Sequence, residues 1–521
     1  MDFDVIVIGS GFGGSVAALR LAEQGHRVAV FEQGRHFSSE DIAAADRSTR
    51  KFLWIPELSL HGFFYQRIFR HVVLVGGTGV GGGSLVYAAV LLRPKKDFFL
   101  HPAWSGLGVD WEHELSPHYD TVSRMLGVVD NPYFDRQDEY LKKTAEVMGA
   151  GSTFGPTPNG IFFGQPGVTV PDPFFGGKGP ERAGCRLCGD CLTGCANNAK
   201  NSLDKNYLHL AQASGARIFP GRQAVNIAPV SGGYRIFSKN PETGREHPPA
   251  DAKKVVLAGG VLGTLELLFS CRDEHKTLPA LSPKLGRTVR TNSESLVGIL
   301  SRNPEENLTR GTAISSHFYP DATTHITQNR FAPGQTLMKY QLGPMVDDNE
   351  PARRRKKTLA ALAGSPHLAT LAWRTKLFRE RFTLLTVMQH EDNELSFAFT
   401  KRKGLLSGCR LASVREGSKA APANIPVANA AARAFAAESG GLALNALWES
   451  LGNISVTAHI LGGCPMGTDT RTGVINKDHE VFGYPGLYVT DGAAVSANVG
   501  VNPSLTIAAM AERAARRMGE R

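Results

Sequence analysis

The chain predicts an α/β fold joined to an α+β portion, and three features carry that expectation. A short apolar run, Asp4-Val-Ile-Val-Ile8, meets Gly9-Ser-Gly11-Phe-Gly13-Gly14 and then a helical pattern through Val16–Glu23. Strand patterns return at Val255–Leu257, before Ala258-Gly-Gly260, and at Leu487–Thr490, before Asp491-Gly492. Ahead of Val255, Val225 heads an antiparallel meander running through Tyr234–Phe237. Strands ending in glycine turns and feeding helices are the pattern of a Rossmann-like sheet.

In chain order, the first strand reads as buried on both faces, because it is apolar without alternation. The G-x-G-x-x-G turn that follows places Gly9, Gly11, Gly13 and Gly14 where a pyrophosphate can reach backbone N–H groups at the positive end of a helix. The second strand, Arg27–Phe31, ends at Glu32, eighteen residues after Gly14, where a carboxylate can accept from ribose hydroxyls. A dinucleotide site is therefore expected, although the glycine motif does not separate a nicotinamide from a flavin. Residues 151–180, rich in Gly and Pro, read as irregular, and a helical pattern from Ala196 to Leu210 feeds a strand at Ala216–Phe219.

Four of the seven cysteines fall in one run, Cys185-x-x-Cys188-x-x-Cys191-x-x-x-Cys195. Soft thiolates at that spacing resemble a bacterial ferredoxin run, so an iron–sulfur cluster is the first reading. The usual proline is replaced by Ala196 and no second run exists, so the sulfurs would serve one cluster. Structural zinc and a pair of disulfides are the alternatives.

Composition is that of a globular protein: 521 residues, 42% hydrophobic and 20% charged, with 57 glycines, many in tight runs such as 76–83. No apolar stretch reaches bilayer length and the chain enters a strand at once, so neither a signal peptide nor a transmembrane helix is expected. Cys271, Cys409 and Cys464 stand singly, which fits a reducing cytoplasm. Of the net charge of +10, much lies in residues 353–381, with nine basic side chains against Glu380 alone. Leu359, Leu362, Leu368, Leu371, Trp373, Leu377 and Phe378 lie between them, interrupted near Pro366. Such a segment suits a peripheral contact with an anionic membrane or an acidic electron acceptor, and equally a solvated loop flanking a core helix. Nothing in the chain calls for nucleic-acid binding.

The C-terminal stretch, Asn453-Ile-Ser-Val-Thr-Ala-His459 through Gly467, then Tyr484–Gly492, then Asn498-Val-Gly-Val-Asn502-Pro503, resembles the glucose–methanol–choline (GMC) oxidoreductases, most closely their cholesterol-oxidase-like bacterial branch. Gly81-Gly82-Gly83-Ser84-Leu-Val-Tyr87 and Val255–Gly260 match the same family, whose corresponding block usually carries an asparagine where Tyr87 stands. The resemblance implies FAD and oxidation of a CH–OH group on a bulky apolar, sterol-like alcohol. It implies His459 as base and Asn502 as the amide that orients the substrate oxygen. Gly81, Gly82, Gly83, Ser84, Val225, Asp491, Gly492 and Pro503 join Gly9, Gly11, Gly13, Gly14 and Glu32 as expected cofactor contacts. Whether His390 or Glu391 adds a second acid–base group stays open.

The same resemblance implies an FAD-binding domain of residues 1–100, 184–290 and 450–521, interleaved with a substrate domain of 101–183 and 291–449 built on an antiparallel sheet. A cluster on Cys185, Cys188, Cys191 and Cys195 would pass electrons to an external acceptor such as a cytochrome, ferredoxin or quinone. The alternatives are an oxygen-reducing oxidase that makes hydrogen peroxide and uses the cysteines for zinc, and a non-catalytic electron-transfer flavoprotein.

Overall fold

A computed structural model describes residues 1–45, 48–331, 340–365, 380–401, 409–415 and 420–519. Its first large sheet has seven strands. Arg217–Pro220, Val28–Glu32, Phe3–Ile8 and Glu246–Leu257 run side by side in parallel, and Leu487–Val489 adds a further parallel partner to the last of these. Gly233–Lys239 and Gln223–Val230 complete it as an antiparallel meander. The central runs Val5–Ile8, Val28–Phe31 and Val255–Leu257 are apolar and buried because helices cover the sheet. Helix Phe12–Glu23 packs against helices Ser504–Gly519 and Tyr207–Ala213. It ends at Gln24, where Gly25 takes φ +85° and turns the chain into the second strand.

The second large sheet is antiparallel, in the order Leu342–Pro344, Gly441–Ala446, Ser295–Ser301, Phe382–Gln389, Thr324–Asn329, Ser316–Phe318, Gly155–Pro156. Alternation along these strands turns Val297, Ile299, Leu385, Val387, Ile326 and Phe318 toward helices Arg136–Val147 and Pro426–Glu438. A buried ion pair pins that contact: Arg330 donates to Asp138, which caps the start of helix Arg136–Val147 and also accepts from Ser315, Ser316 and Gln328. The opposite face of this sheet, the roof, carries Leu300, Leu384 and Leu444, and Ser455–Thr457 pairs separately with Val72–Gly77.

One expectation needs correction. The helix expected from Ala196 begins only at Tyr207, because Asn198 adopts φ +55° and Lys200 turns inward to give its ammonium protons to three carbonyls, Leu85, Tyr87 and Cys191. The first part of the basic segment is a helix, Pro351–Ala363, in line with the helical stripe expected there, and some of its cations are engaged. Arg354 is buried against Asp348 O, Glu449 O and Asn453 Oδ1, and Arg353 and Lys357 pair with Asp348. The rest of that expectation, residues 366–379, lies outside the described residues. Among the described residues no helix is long and apolar enough to cross a membrane.

Candidate active site

The nucleotide cradle forms at the carboxyl ends of the parallel strands. Gly9 has φ +100°, and a Cβ there would lie 2.2 Å from Ala258 O. A Cβ on Gly13 would lie 2.2 Å from Thr490 O, and one on Gly14 2.0 Å from Gly9 O. These three glycines let the turn close on the strand ends. Gly11 differs: nothing lies within 4 Å of its Cβ position, and the helix it begins has no side-chain cap. Open space over an uncapped helix N-terminus is what a pyrophosphate requires, so the chain fits a dinucleotide there. Gly82 packs on Gly11, Gly83 faces open space, and Gly81 accepts from the Ser84 hydroxyl, which itself accepts from Leu203 N–H.

Glu32 is buried at its strand end, and burial raises its carboxyl above the usual range. Oε2 accepts from Ser10 N–H at 3.1 Å and Ser10 Oγ at 2.7 Å, while Oε1 accepts from Gly34 N–H at 2.9 Å. Val225 sits at a bulge between Ala224 and Asn226, where the ladder register shifts. Asp491 is turned toward Thr264, whose hydroxyl donates to it at 2.5 Å, and caps Gly492–Ala494 through Ala493 N–H at 2.8 Å. Burial lifts its carboxyl to about 6. Pro503 immediately precedes helix Ser504–Gly519.

His459 lies in the link between Ser455–Thr457 and Leu461–Gly463. Its Nδ1 is 2.5 Å from Glu294 Oε1, and its Nε2 is 3.4 Å from Asn502 Nδ2. Glu294, only 2% exposed, also accepts from Thr457 Oγ1 at 2.8 Å and from Ala458 N–H at 3.1 Å. Three donors thus fix its carboxylate, and the carboxylate fixes the imidazole: with the proton on Nδ1, the lone pair of Nε2 points at Asn502. The Oδ1 of Asn502 is buried without a partner. An acceptor nitrogen beside an amide can take a hydroxyl proton while the amide holds the oxygen. His390 packs on Gly500 in the loop before Asn502, and the Glu391 carbonyl accepts from the amides of Asn498 and Asn393.

Glu294 escaped the sequence reading. It sits in Arg290-Thr-Asn-Ser-Glu-Ser295, a polar stretch with no motif, and all six residues are buried. A polar stretch leading straight into the apolar run Leu296–Leu300 was the available signal.

The four cysteines of the run border one narrow cavity together with Asn197, Lys200 and Gly311. Each sulfur accepts at least one N–H: Cys185 from Leu187, Cys188 from the Asn197 amide, Cys191 from Ala313 and Cys195 from Ala199, at 3.4–3.5 Å. Burial pushes the Cys185 and Cys191 thiols up to about 12 and raises Cys188 as well. Among the described residues no three His, Cys, Asp or Glu side chains are placed to hold a metal ion. The expected convergence on one centre is thus not formed, because the turn Asp190–Thr193 sends Cys191 toward Ala313. Tyr87 links this loop to the cradle: its ring meets Phe12 edge-on at 5.5 Å and its hydroxyl donates to Asn201 O at 2.7 Å.

A dinucleotide cradle opening toward a histidine–asparagine pair suits a flavin enzyme that acts on CH–OH donors. Known proteins agree. Residues 4–48 match the FAD binding domain and residues 395–511 match the family described as GMC oxidoreductase. A cholesterol oxidase of Mycobacterium tuberculosis is 46% identical over 99% of this chain and 90% of its own length. One from Acinetobacter baumannii is 38% identical over 98% and 94%. The crystal structure of pyridoxine 4-oxidase from Mesorbium loti shares the fold, with a TM-score of 0.62 at 16% identity over 99% of both chains. The chain belongs to the GMC oxidoreductases and is an FAD-dependent oxidoreductase acting on CH–OH donors.

Proposed function

We propose that this enzyme oxidises the hydroxyl-bearing carbon of a sterol-like alcohol to a carbonyl, and the observation that carries the proposal is the Glu294–His459–Asn502 array. FAD, when bound, supplies the hydride acceptor. Gly9, Gly11, Gly13, Gly14, Glu32, Gly81–Ser84 and Val225 would hold its nucleotide half, with Asp491, Gly492 and Pro503 closing on the remainder. His459 Nε2 takes the hydroxyl proton, Glu294 keeps that nitrogen unprotonated at rest, and Asn502 orients the substrate oxygen. The reading assigns residues 1–100, 184–290 and 450–521 to the cofactor and the intervening segments to the substrate.

Two observations support a bulky apolar substrate. The relatives described above are named as cholesterol oxidases. On the roof, Leu300, Phe382, Leu384 and Leu444 cluster with Leu296, Phe331 and Leu442 on the face opposite the helices, and Leu296 follows Glu294 by two residues. For the electrons' exit, the four cysteines border one cavity and Tyr87 lies between their loop and the cradle, so Cys185, Cys188, Cys191 and Cys195 are the residues that would have to draw closer together to hold an iron–sulfur cluster.

Anaerobic titration of the yellow protein with cholesterol tests both parts. Bleaching of the flavin band with formation of the ketone is expected, and bleaching by long-chain primary alcohols alone overturns the substrate class. Iron analysis and EPR of the same reduced sample should show a cluster. An iron-free sample that forms hydrogen peroxide in air replaces that exit with direct oxidation by oxygen.

A further inference from the structure

The roof strand Thr324–Asn329 holds an arrangement that the His459–Asn502 pair does not use. His317 is in register with Thr327, and His325 with Met388, so these four side chains share one face while Phe318 and Ile326 turn to the helices. On that face Met388 Sδ lies 3.6 Å from Asn292 Nδ2, which also donates to Val501 O at 2.8 Å. The His325 face of the roof therefore rests against the segment that carries Asn502.

His325 is 1% exposed. Its Nε2 lies 2.8 Å from His317 Nδ1, and the Tyr319 ring stacks on it at 4.8 Å. Its Nδ1 is buried without a partner, and so is Thr327 Oγ1 two residues along the strand. Two such atoms on one strand face are costly unless something entering the site meets them. His317, by contrast, is only half-buried, and the charge of Asp130 acts on it.

We propose that His325 and His317 form the route by which the substrate's hydroxyl proton leaves the closed site, a deepening that rests on the alcohol-oxidation reading above. The hydroxyl O–H bond breaks as hydride, with its electron pair, departs for the flavin, and His459 Nε2 receives the proton. It passes on to His325 Nδ1, the Nε2–H of His325 hands its proton to His317 Nδ1, and the Nε2–H of His317 gives one to water. A neutral imidazole does this by accepting on one nitrogen while giving from the other.

The surroundings keep the pair as a conduit rather than a store. Burial, His317, Lys95 and His459 all hold His325 well below the ordinary imidazole range. Lys95 lies over the Tyr319 ring at 4.2 Å. Burial lowers His317 to about 4.

The test is stopped-flow reduction in weak buffer, following flavin absorbance together with a pH-indicator dye, in wild type, His317→Gln and His325→Gln. Both variants should keep FAD, and both should slow proton release and flavin reduction together, on the order of 100-fold, the scale of losing a proton-transfer group. Proton release at the wild-type rate in His317→Gln overturns the relay. In wild type, the reduction rate across H2O/D2O mixtures should curve, since several N–H bonds change hands, and a linear dependence overturns the relay without any variant. A wild-type enzyme that no sterol alcohol reduces defeats the alcohol-oxidation reading instead.

Discussion

The two large sheets solve opposite problems. In the parallel sheet, Val5–Ile8, Val28–Phe31 and Val255–Leu257 are apolar and buried on both faces, so its strands present no chemistry. The groups proposed to hold the cofactor stand where strands stop, and most are backbone atoms or glycines. In the antiparallel roof, alternation leaves one face for the helices and frees the other for His317, His325, Thr327 and the apolar cluster around Leu384. Grip is thus backbone work at strand ends, and chemistry is side-chain work on loops and on one pleated face, so the two should separate under mutation.

The largest effect expected from that separation is in His459→Ala. The protein should stay yellow, because the imidazole lies outside the cradle, while flavin reduction by substrate falls at least ~100-fold, the usual scale for losing a general base. Colourless protein would show that grip and chemistry are coupled after all.

Glu294→Gln sharpens the same contrast. The amide can present its N–H₂ to His459 Nδ1 and so drive the imidazole proton to Nε2, which leaves a donor where an acceptor is needed. FAD content should be unchanged, and turnover should drop on the order of tenfold, below the loss for the base itself because the imidazole remains. Full activity would remove Glu294 from control of the tautomer.

What could be read from the chain divides along the same line. Gly9–Gly14, Glu32 and Asp491 are legible because strand, turn and helix are consecutive and each residue's surroundings are set within a few positions. His459 and Asn502 are legible only through their matching blocks. Glu294 is 165 positions from His459, and the two meet through long-range folding that brings the head of a roof strand to Thr457 and Ala458. The His317–His325 pair is hidden for the same reason, since it exists only once two roof strands are in register. The helix expected after the cysteines failed differently: its periodicity was real, but the carbonyls that receive Lys200 lie elsewhere in the chain, and satisfying a buried ammonium outweighs one helical turn.

The smallest effect expected is on stability, and it arises where roof and cradle meet. Glu449 is buried behind Glu294, accepting from Ser295 Oγ at 2.7 Å and Leu296 N–H at 3.0 Å, and burial lifts its carboxyl to about 8. A carboxyl raised in the folded state is neutral there while the unfolded chain ionises freely, so stability is complete below the ordinary carboxyl range and is lost as pH rises toward 8. Glu449→Gln keeps the acceptor for Leu296 N–H and can donate to Ser295 Oγ, so it preserves both contacts without a titrating group. Thermal unfolding of the two proteins should coincide near pH 4.5 and diverge in favour of Glu449→Gln by pH 8. Taking the difference between the curves removes the contribution of the depressed histidines His317, His325 and His479, which lose stability in the opposite direction, as pH falls. Parallel curves would mean that Glu449 is ionised in the fold, balanced by Arg354.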